Sequence, residues 1–260
     1  MIVSMKTYEL SRQKNVRDIG GFVGFEGKTI KYGCFYRGGA LHRVNEQDIE
    51  ILKSMHITDI VDFRGEEEFV NAPDIKLEGV RYHNLPAIEE RVAKQDKDDE
   101  DGNLLWFIRA SVNGFEHMKN QYRNLINDKK SQWAYQQFFK ILMQDNVSVY
   151  FHCSQGKDRA GLAAFFIEVA LGVHFPDLES DYLRSNIAMQ EKMERLIFGV
   201  KSKSFYNQDY HQSLLDVFSA KLEYLYAAIE EMDRNYGGPL NYIQNVLGVD
   251  IDLFRKKYLE

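Results

Sequence analysis

The chain has 260 residues, 44% of them hydrophobic and 28% charged, which is enough apolar content for a sizeable core in one large domain or two small ones. Its net charge of -6 excludes a bulk attraction for nucleic acid or an anionic membrane surface, so any basic patch must be local. Its two cysteines, Cys34 and Cys153, are too few for a disulfide framework and suit a reducing compartment.

The opening MIVSMKTYELSRQKNVRD has no apolar run of signal-peptide length. No later stretch approaches the length of a membrane span. The expectation is a cytoplasmic protein without stable membrane insertion and without nucleic-acid partners; export by a route needing no signal peptide stays open. The segment from Asn15 to Ala40 carries seven glycines between short β-prone runs. Asn45 then caps a helix, NEQDIEILKSM, with Ile49, Leu52 and Met55 along one side. ITDIVDF is a short strand ending in Asp62, Phe63 and Arg64. The run Lys94 to Asn103 is charged, lacks apolar residues and lacks the Gly-centred spacing of a calcium loop, so it is a solvated loop.

A helical stretch runs from Leu104 to about Met143, followed by the buried strand VSVYF and by the helix DRAGLAAFFIEVALG, which Gly172 stops. A helical insert occupies Asp177 to about Gly199. SLLDVFSAKLEYLYAAIEEMDRNYGG then forms one amphipathic helix, with Leu214, Phe218, Leu222, Leu225, Ile229 and Met232 on one face and Gly237 at its end. A last short helix starts near Leu240. Strands alternating with helices indicate an α/β domain with a largely parallel sheet, in which reactive groups gather beyond the carboxyl ends of the strands. Asp62, Arg64 and Cys153 fall at such ends.

The segment VYFHCSQGKDRAG places Cys153 at the end of a strand and, after five intervening residues, Arg159 at the start of a helix. A phosphate dianion needs many donors and little competing water. Residues Ser154, Gln155, Gly156, Lys157 and Asp158 can turn their backbone N–H groups inward as an anion nest, with the helix N-terminus adding positive potential. Gly156 permits a backbone conformation that a Cβ resists. Arg159 can grip two phosphate oxygens and follow the charge into the transition state. The same field favours the thiolate form of Cys153, the nucleophilic form of a cysteine. His152 orients the loop. Attack on phosphorus gives a cysteinyl-phosphate and a leaving oxygen that needs a proton. Asp158 is the first choice of acid, Asp62 the second and Asp74 the third. Cys34 has no activating surroundings and is a packing thiol. No metal or other cofactor is implied, since the His and Asp residues lack ligand spacing.

HCSQGKDRAG resembles the phosphate-binding loop of the bacterial atypical dual-specificity and tyrosine phosphatases, including the mycobacterial and Listeria tyrosine and phosphoinositide phosphatases. NVRDIGG, YRGGALHRVNEQD, DFRGEEEF and YLYAAIEEMDRNYGGPLNYIQNVLG resemble further segments of that family, so the resemblance covers nearly the whole chain. It implies a single domain over residues 1–260 with a cysteine-phosphatase-like α/β fold: a largely parallel central sheet flanked by helices, plus a helical insert at about 174–211 that forms a lid. It implies Cys153 as nucleophile, Arg159 as phosphate ligand and Asp158 as acid. Lys157 matches a position associated with phosphoinositide activity, where its ammonium would attract a polyphosphorylated headgroup; a solvated loop lysine is the equal alternative. Met193, Leu196, Ile197 and Phe198 would cover the pocket as a lid or pack as ordinary core. Arg17, Asp18, Asp62 and Arg64 would orient the loop or form surface ion pairs.

One departure stands out: Ala160 occupies the place where the family usually has a Ser or Thr hydroxyl to stabilise the departing thiolate. Its loss costs ~1.5–3 kcal/mol, a roughly ten- to hundred-fold slower breakdown of the phosphoenzyme. The implied substrates are phosphotyrosine proteins or phosphoinositides, with phosphate or another oxyanion in the loop. The competing readings are a phosphate-binding module with weak catalysis, for which Ala160 is the support, and a sulfurtransferase, which Arg159 and the flanking segments disfavour.

Overall fold

A computed structural model describes residues 6–11, 13, 15–87, 113–201 and 208–260. The acidic run from Lys94 to Asn103 and the first part of the helix expected from Leu104 lie outside these residues.

Among the described residues six strands form one sheet: β1 (Thr7–Tyr8), β2 (Val16–Asp18), β3 (Phe35–Gly39), β4 (Asp59–Asp62), β5 (Arg81–Asn84) and β6 (Val149–Cys153). The order is β1-β2-β3-β6-β4-β5. β3, β6, β4 and β5 are mutually parallel, whereas β1 and β2 add an antiparallel edge. The sheet is thus mixed, with a parallel centre. β6 lies between β3 and β4, with Cys153 opposite Gly39 and His152 opposite both Gly38 and Asp62.

Strand periodicity sorts the core. Phe35, Val61, Val149 and Phe151 face a large aromatic cluster, while Tyr36, Ile60 and Tyr150 face a smaller one with Leu41, Leu52 and Met55. Helix α1 (Glu46–Ser54) covers the smaller cluster. The Asn45 side chain accepts from the Asp48 amide, and the Asp48 carboxylate accepts in return from the Asn45 amide. After β4 comes the short α2 (Glu66–Asn71). The long aromatic stretch forms two helices, α3 (Gly114–Asn127) and α4 (Lys129–Leu142), because Asp128 leaves helical geometry and caps the second through the Ser131 amide. α5 (Arg159–Ala170) is buried nearly all round, as its uniformly apolar sequence requires.

α6 (Phe175–Lys201) matches the expected insert and extends past both ends of it. The single amphipathic helix expected next is instead two, α7 (Gln208–Phe218) and α8 (Leu222–Tyr236), with Gly237 ending α8 at φ 76°. Two side chains hold the break open. Asn186 accepts from the Ala220 amide at 2.7 Å and donates to the Ala220 carbonyl at 2.8 Å, while Lys157 donates to the carbonyls of Val217 and Ser219. Short helical turns at 239–246 occupy the place of the helix expected from about Leu240, and a further helix, α9 (Ile251–Tyr258), follows them. Among the described residues no helix is long and apolar enough to cross a membrane.

Candidate active site

The loop between β6 and α5 is built outward from its carbonyls. Ala40 donates its amide to the Ser154 carbonyl at 3.3 Å. Asn15 Nδ2 donates to the carbonyls of Gln155 and Gly156 at 3.0 and 3.1 Å. Arg37 donates through Nε to Gly156 and through Nη2 to Lys157, both at 3.0 Å. Four successive carbonyls are therefore held on the outer side. In a trans peptide the C=O and the next N–H point oppositely, so the amides of residues 155–158 face the other way. Amides turned to one side in this way can receive an anion.

Two glycines let the parts meet. Gly156 has φ 68°, and a Cβ there would come within 2.2 Å of the Gly38 carbonyl oxygen. A Cβ on Gly161 would sit 2.7 Å from Arg37 Nη2. β3 and the first turn of α5 approach this closely only because these side chains are absent.

Arg37 is itself fixed by Asp181 of α6 at 2.6 Å, which also pairs with Arg17 at 2.6 Å. All three side chains are buried. Burial alone would raise the Asp181 carboxyl, but the two guanidinium groups hold it below the usual carboxylate range. Ser185 Oγ accepts from Arg37 at 3.3 Å, so α6 supports the loop from its base. Asp18 does something else: it accepts from the amides of Gly20 and Gly33 and shapes the turns around β2.

Arg159 emerges at the head of α5 and pairs two-handedly with Glu68 of α2, Nη1 to Oε2 at 2.6 Å and Nη2 to Oε1 at 2.9 Å. Nη2 also donates to Ser154 Oγ at 3.2 Å, and Ser154 Oγ donates to Glu68. Burial is the largest influence on Glu68 and pushes its carboxyl up; Arg159, Ser154 and the Gly65 amide outweigh it and hold the group down at about 2. Glu68 is an ionised brace that fixes the guanidinium beside Ser154. Cys153, 3% exposed, is the last residue of β6, at the strand end from which the loop springs.

A second buried network backs the loop. Arg64 pairs with Asp62 at 2.7 Å and with Asp74 at 2.9 Å. His152 Nε2 lies 3.0 Å from Asp74 Oδ2, an ion-pair distance though off the N–H axis, and Nδ1 lies 3.2 Å from the Cys153 carbonyl oxygen. Burial pushes the His152 ring down, but Asp62 and Asp74 more than reverse this and raise it. Asp62, Asp74 and His152 bring three possible metal-ligand atoms together. The Arg64 guanidinium, bonded to both carboxylates, already fills the cation's place, so the residues do not fit a metal.

These placements revise several expectations. Asp62 and Arg64 support the loop through His152 and do not line the anion nest. Asp62 and Asp74 are buried and committed to Arg64, which removes both as alternative acids. Lys157 is 1% exposed, its ammonium on the carbonyls of Val217 and Ser219 and 3.4 Å from Asp158 Oδ1, so it is no solvated loop lysine. Ala160 is fully buried. Of the lid candidates, Phe198 is 77% exposed and Met193 sulfur accepts from Ser219 Oγ, while the side chains of Leu196 and Ile197 lie outside those described. Asn15, Arg37, Glu68, Asp181 and Ser185 were missed. The available signal was an arginine inside each of two short buried strands, VRD and FYRGG, where a charge needs a partner.

The strand end that bears Cys153, the loop with its amides turned to one side and the arginine at the head of α5 have the make-up of a phosphatase site. The family model described as the tyrosine phosphatase family matches residues 8–260, and the chain belongs to that family. The enzyme is a protein-tyrosine phosphatase. It is 29% identical over 254 residues, 94% of this chain and 85% of the other, to a Cupriavidus necator protein named "Putative tyrosine-protein phosphatase". It is 24% identical over 267 residues, 93% of this chain and 94% of the other, to the triple specificity protein phosphatase PtpB of Mycobacterium tuberculosis.

Proposed function

We propose that the enzyme cleaves phosphomonoesters of protein tyrosine side chains through a cysteinyl-phosphate on Cys153. The outward anchoring of four successive carbonyls by Ala40, Asn15 and Arg37 carries this reading, because it leaves the amides free to receive a phosphate. The thiolate of Cys153 attacks phosphorus and the bond to the tyrosyl oxygen breaks. Asp158 gives that oxygen its proton. The amides of the loop and Arg159 hold the equatorial oxygens throughout. Asp158, now ionised, then takes a proton from water as the water attacks the cysteinyl-phosphate, releasing phosphate and restoring the thiolate.

Phosphotyrosine ranks above a lipid headgroup. Lys157, the residue suited to a polyphosphorylated lipid, would have to leave two carbonyls and a buried position to reach one. The test is a panel of phosphotyrosine, phosphoserine and phosphothreonine peptides beside phosphoinositides, run with wild type and Cys153→Ser. The expected result is highest kcat/KM on phosphotyrosine and activity abolished in Cys153→Ser. Retained hydrolysis in that variant refutes the mechanism, and a lipid preference refutes the substrate ranking.

A further inference from the structure

Asp158 has an unusual set of neighbours. Tyr122 of α3 donates its hydroxyl to Asp158 Oδ1 at 2.9 Å. Lys157 Nζ lies 3.4 Å from the same oxygen. The Tyr122 hydroxyl is also 2.8 Å from that of Tyr182 on α6. Both rings are buried and meet edge to face, with centroids 6.2 Å apart. Since the single Tyr122 proton goes to the carboxylate, Tyr182 must donate to Tyr122. The chain runs one way: Tyr182 to Tyr122 to Asp158 Oδ1.

We infer that Tyr122, backed by Tyr182, is a positioning residue for the acid: it locks Oδ1 as an acceptor so that Oδ2 alone carries the proton delivered to the leaving oxygen. The inference rests on the reading of Asp158 as the acid. Three observations support it. A donor from α3 and a cation from the loop itself converge on one oxygen of a side chain that is otherwise 30% exposed. Burial, with the Asp158 charge next, pushes the Tyr122 phenol far above its ordinary range, so the ring stays a neutral donor. Finally, the chain ends on α6 at Tyr182, next to the Asp181 that fixes Arg37, so one turn of one helix sets both the nest and the acid.

Tyr122→Phe removes the hydroxyl and keeps the ring. The informative measure is kcat/KM, which reports departure of the leaving group even where breakdown of the cysteinyl-phosphate limits kcat. For phenyl phosphate, whose leaving oxygen needs the proton, kcat/KM is expected to fall about ten-fold, a part of the roughly 100-fold or more that general acids contribute. For p-nitrophenyl phosphate, a far better leaving group, it should stay within about two-fold. The alkaline limb of the pH profile should move as well, a change that loss of packing alone would not produce. Tyr182→Phe should shift both readouts the same way by less, and it carries the test if Tyr122→Phe does not fold. A parallel fall for both substrates with an unmoved limb, in whichever variant folds, overturns the inference by reducing the tyrosines to packing. Asp158→Asn separates the two levels. Loss of the alkaline limb and a steep dependence on leaving group uphold Asp158 as the acid whatever Tyr122 does. A retained alkaline limb with a dependence on leaving group no steeper than in wild type overturns that reading and the inference with it.

Discussion

Ala160 is fully buried at the second position of α5, directly after Arg159. On the proposed mechanism a hydroxyl at this position would assist the sulfur that leaves when water breaks the cysteinyl-phosphate. Without it that step is the slow one, so p-nitrophenyl phosphate should give a burst of nitrophenol followed by slow turnover. Ala160→Ser adds one oxygen with less crowding than Thr at a site with no exposed surface. It should raise kcat about ten-fold or more and abolish the burst, as expected for regaining a hydrogen bond to a charged group. Rapid-mixing traces without a burst, and a kcat the serine does not change, would refute it. Arg37 makes the opposite point, since its one mark in the sequence is a charge inside a short buried strand, which says nothing of the loop it anchors. Arg37→Met leaves the Lys157 carbonyl without its Arg37 anchor, leaves the Gly156 carbonyl to Asn15 alone and strips Asp181 of one cation. Breaking a buried ion pair costs about 3–5 kcal/mol. Urea unfolding should register that loss, and inorganic phosphate should inhibit the variant much less than wild type. Cys153, Asp158 and Arg159 are legible in the sequence because they lie within seven residues. Arg37, Asn15 and Glu68 are not, because they reach the loop only once β3 lies beside β6 and α2 follows β4.

At the level of elements, helical period served well where the chain decides its own fate. α1 begins where Asn45 and Asp48 can cap it, and α8 ends where Gly237 adopts a left-handed conformation. Period failed at Ser219–Ala220–Lys221, where the apolar stripe continues without a residue that breaks helices. The break is imposed from a distance: Asn186 takes both backbone groups of Ala220, and Lys157 supplies donors to the carbonyls that end α7. A lysine at a helix C-terminus also meets the negative end of the helix dipole. The phosphate-binding loop and the α7–α8 junction are thus mechanically joined. Asn186→Ala should speed amide exchange at Ala220 by about ten-fold, the effect expected from losing roughly 1–1.5 kcal/mol of local hydrogen bonding. Exchange at Ala220 as slow as in wild type would show that packing, not Asn186, sets the break.

Over the whole molecule, the charges buried near the loop make stability depend on pH from both sides. Glu68, held at about 2 against its usual 4.5, contributes stability that is fully present above 4.5 and lost as pH falls toward 2. His152 has its ring raised above 6.5, so its contribution is complete below 6.5 and is lost as pH climbs through the folded value. Glu168, in the last turn of α5, acts with His152. Burial first, and the Asp181 charge second, lift its carboxyl well above 4.5 despite Arg37 and Arg17, and its Oε1 has no hydrogen-bond partner among the described residues. The folded chain then keeps a proton that the unfolded chain releases, so stability falls as pH rises beyond 4.5. The two glutamates oppose each other around their common unfolded value, so the maximum should lie near pH 4.5, with the His152 loss added above 6.5. Glu168→Gln isolates one limb, because glutamine keeps the shape and cannot ionise in either state. Any constant packing cost of the amide cancels when the variant is compared with itself across pH. Measured by urea unfolding between pH 4 and pH 8, its stability relative to wild type should rise as pH climbs above 4.5 and level off only past the folded value of Glu168. A difference that stays level over that range would mean that Glu168 ionises alike in the folded and unfolded chains, and the alkaline loss would then belong to His152 alone.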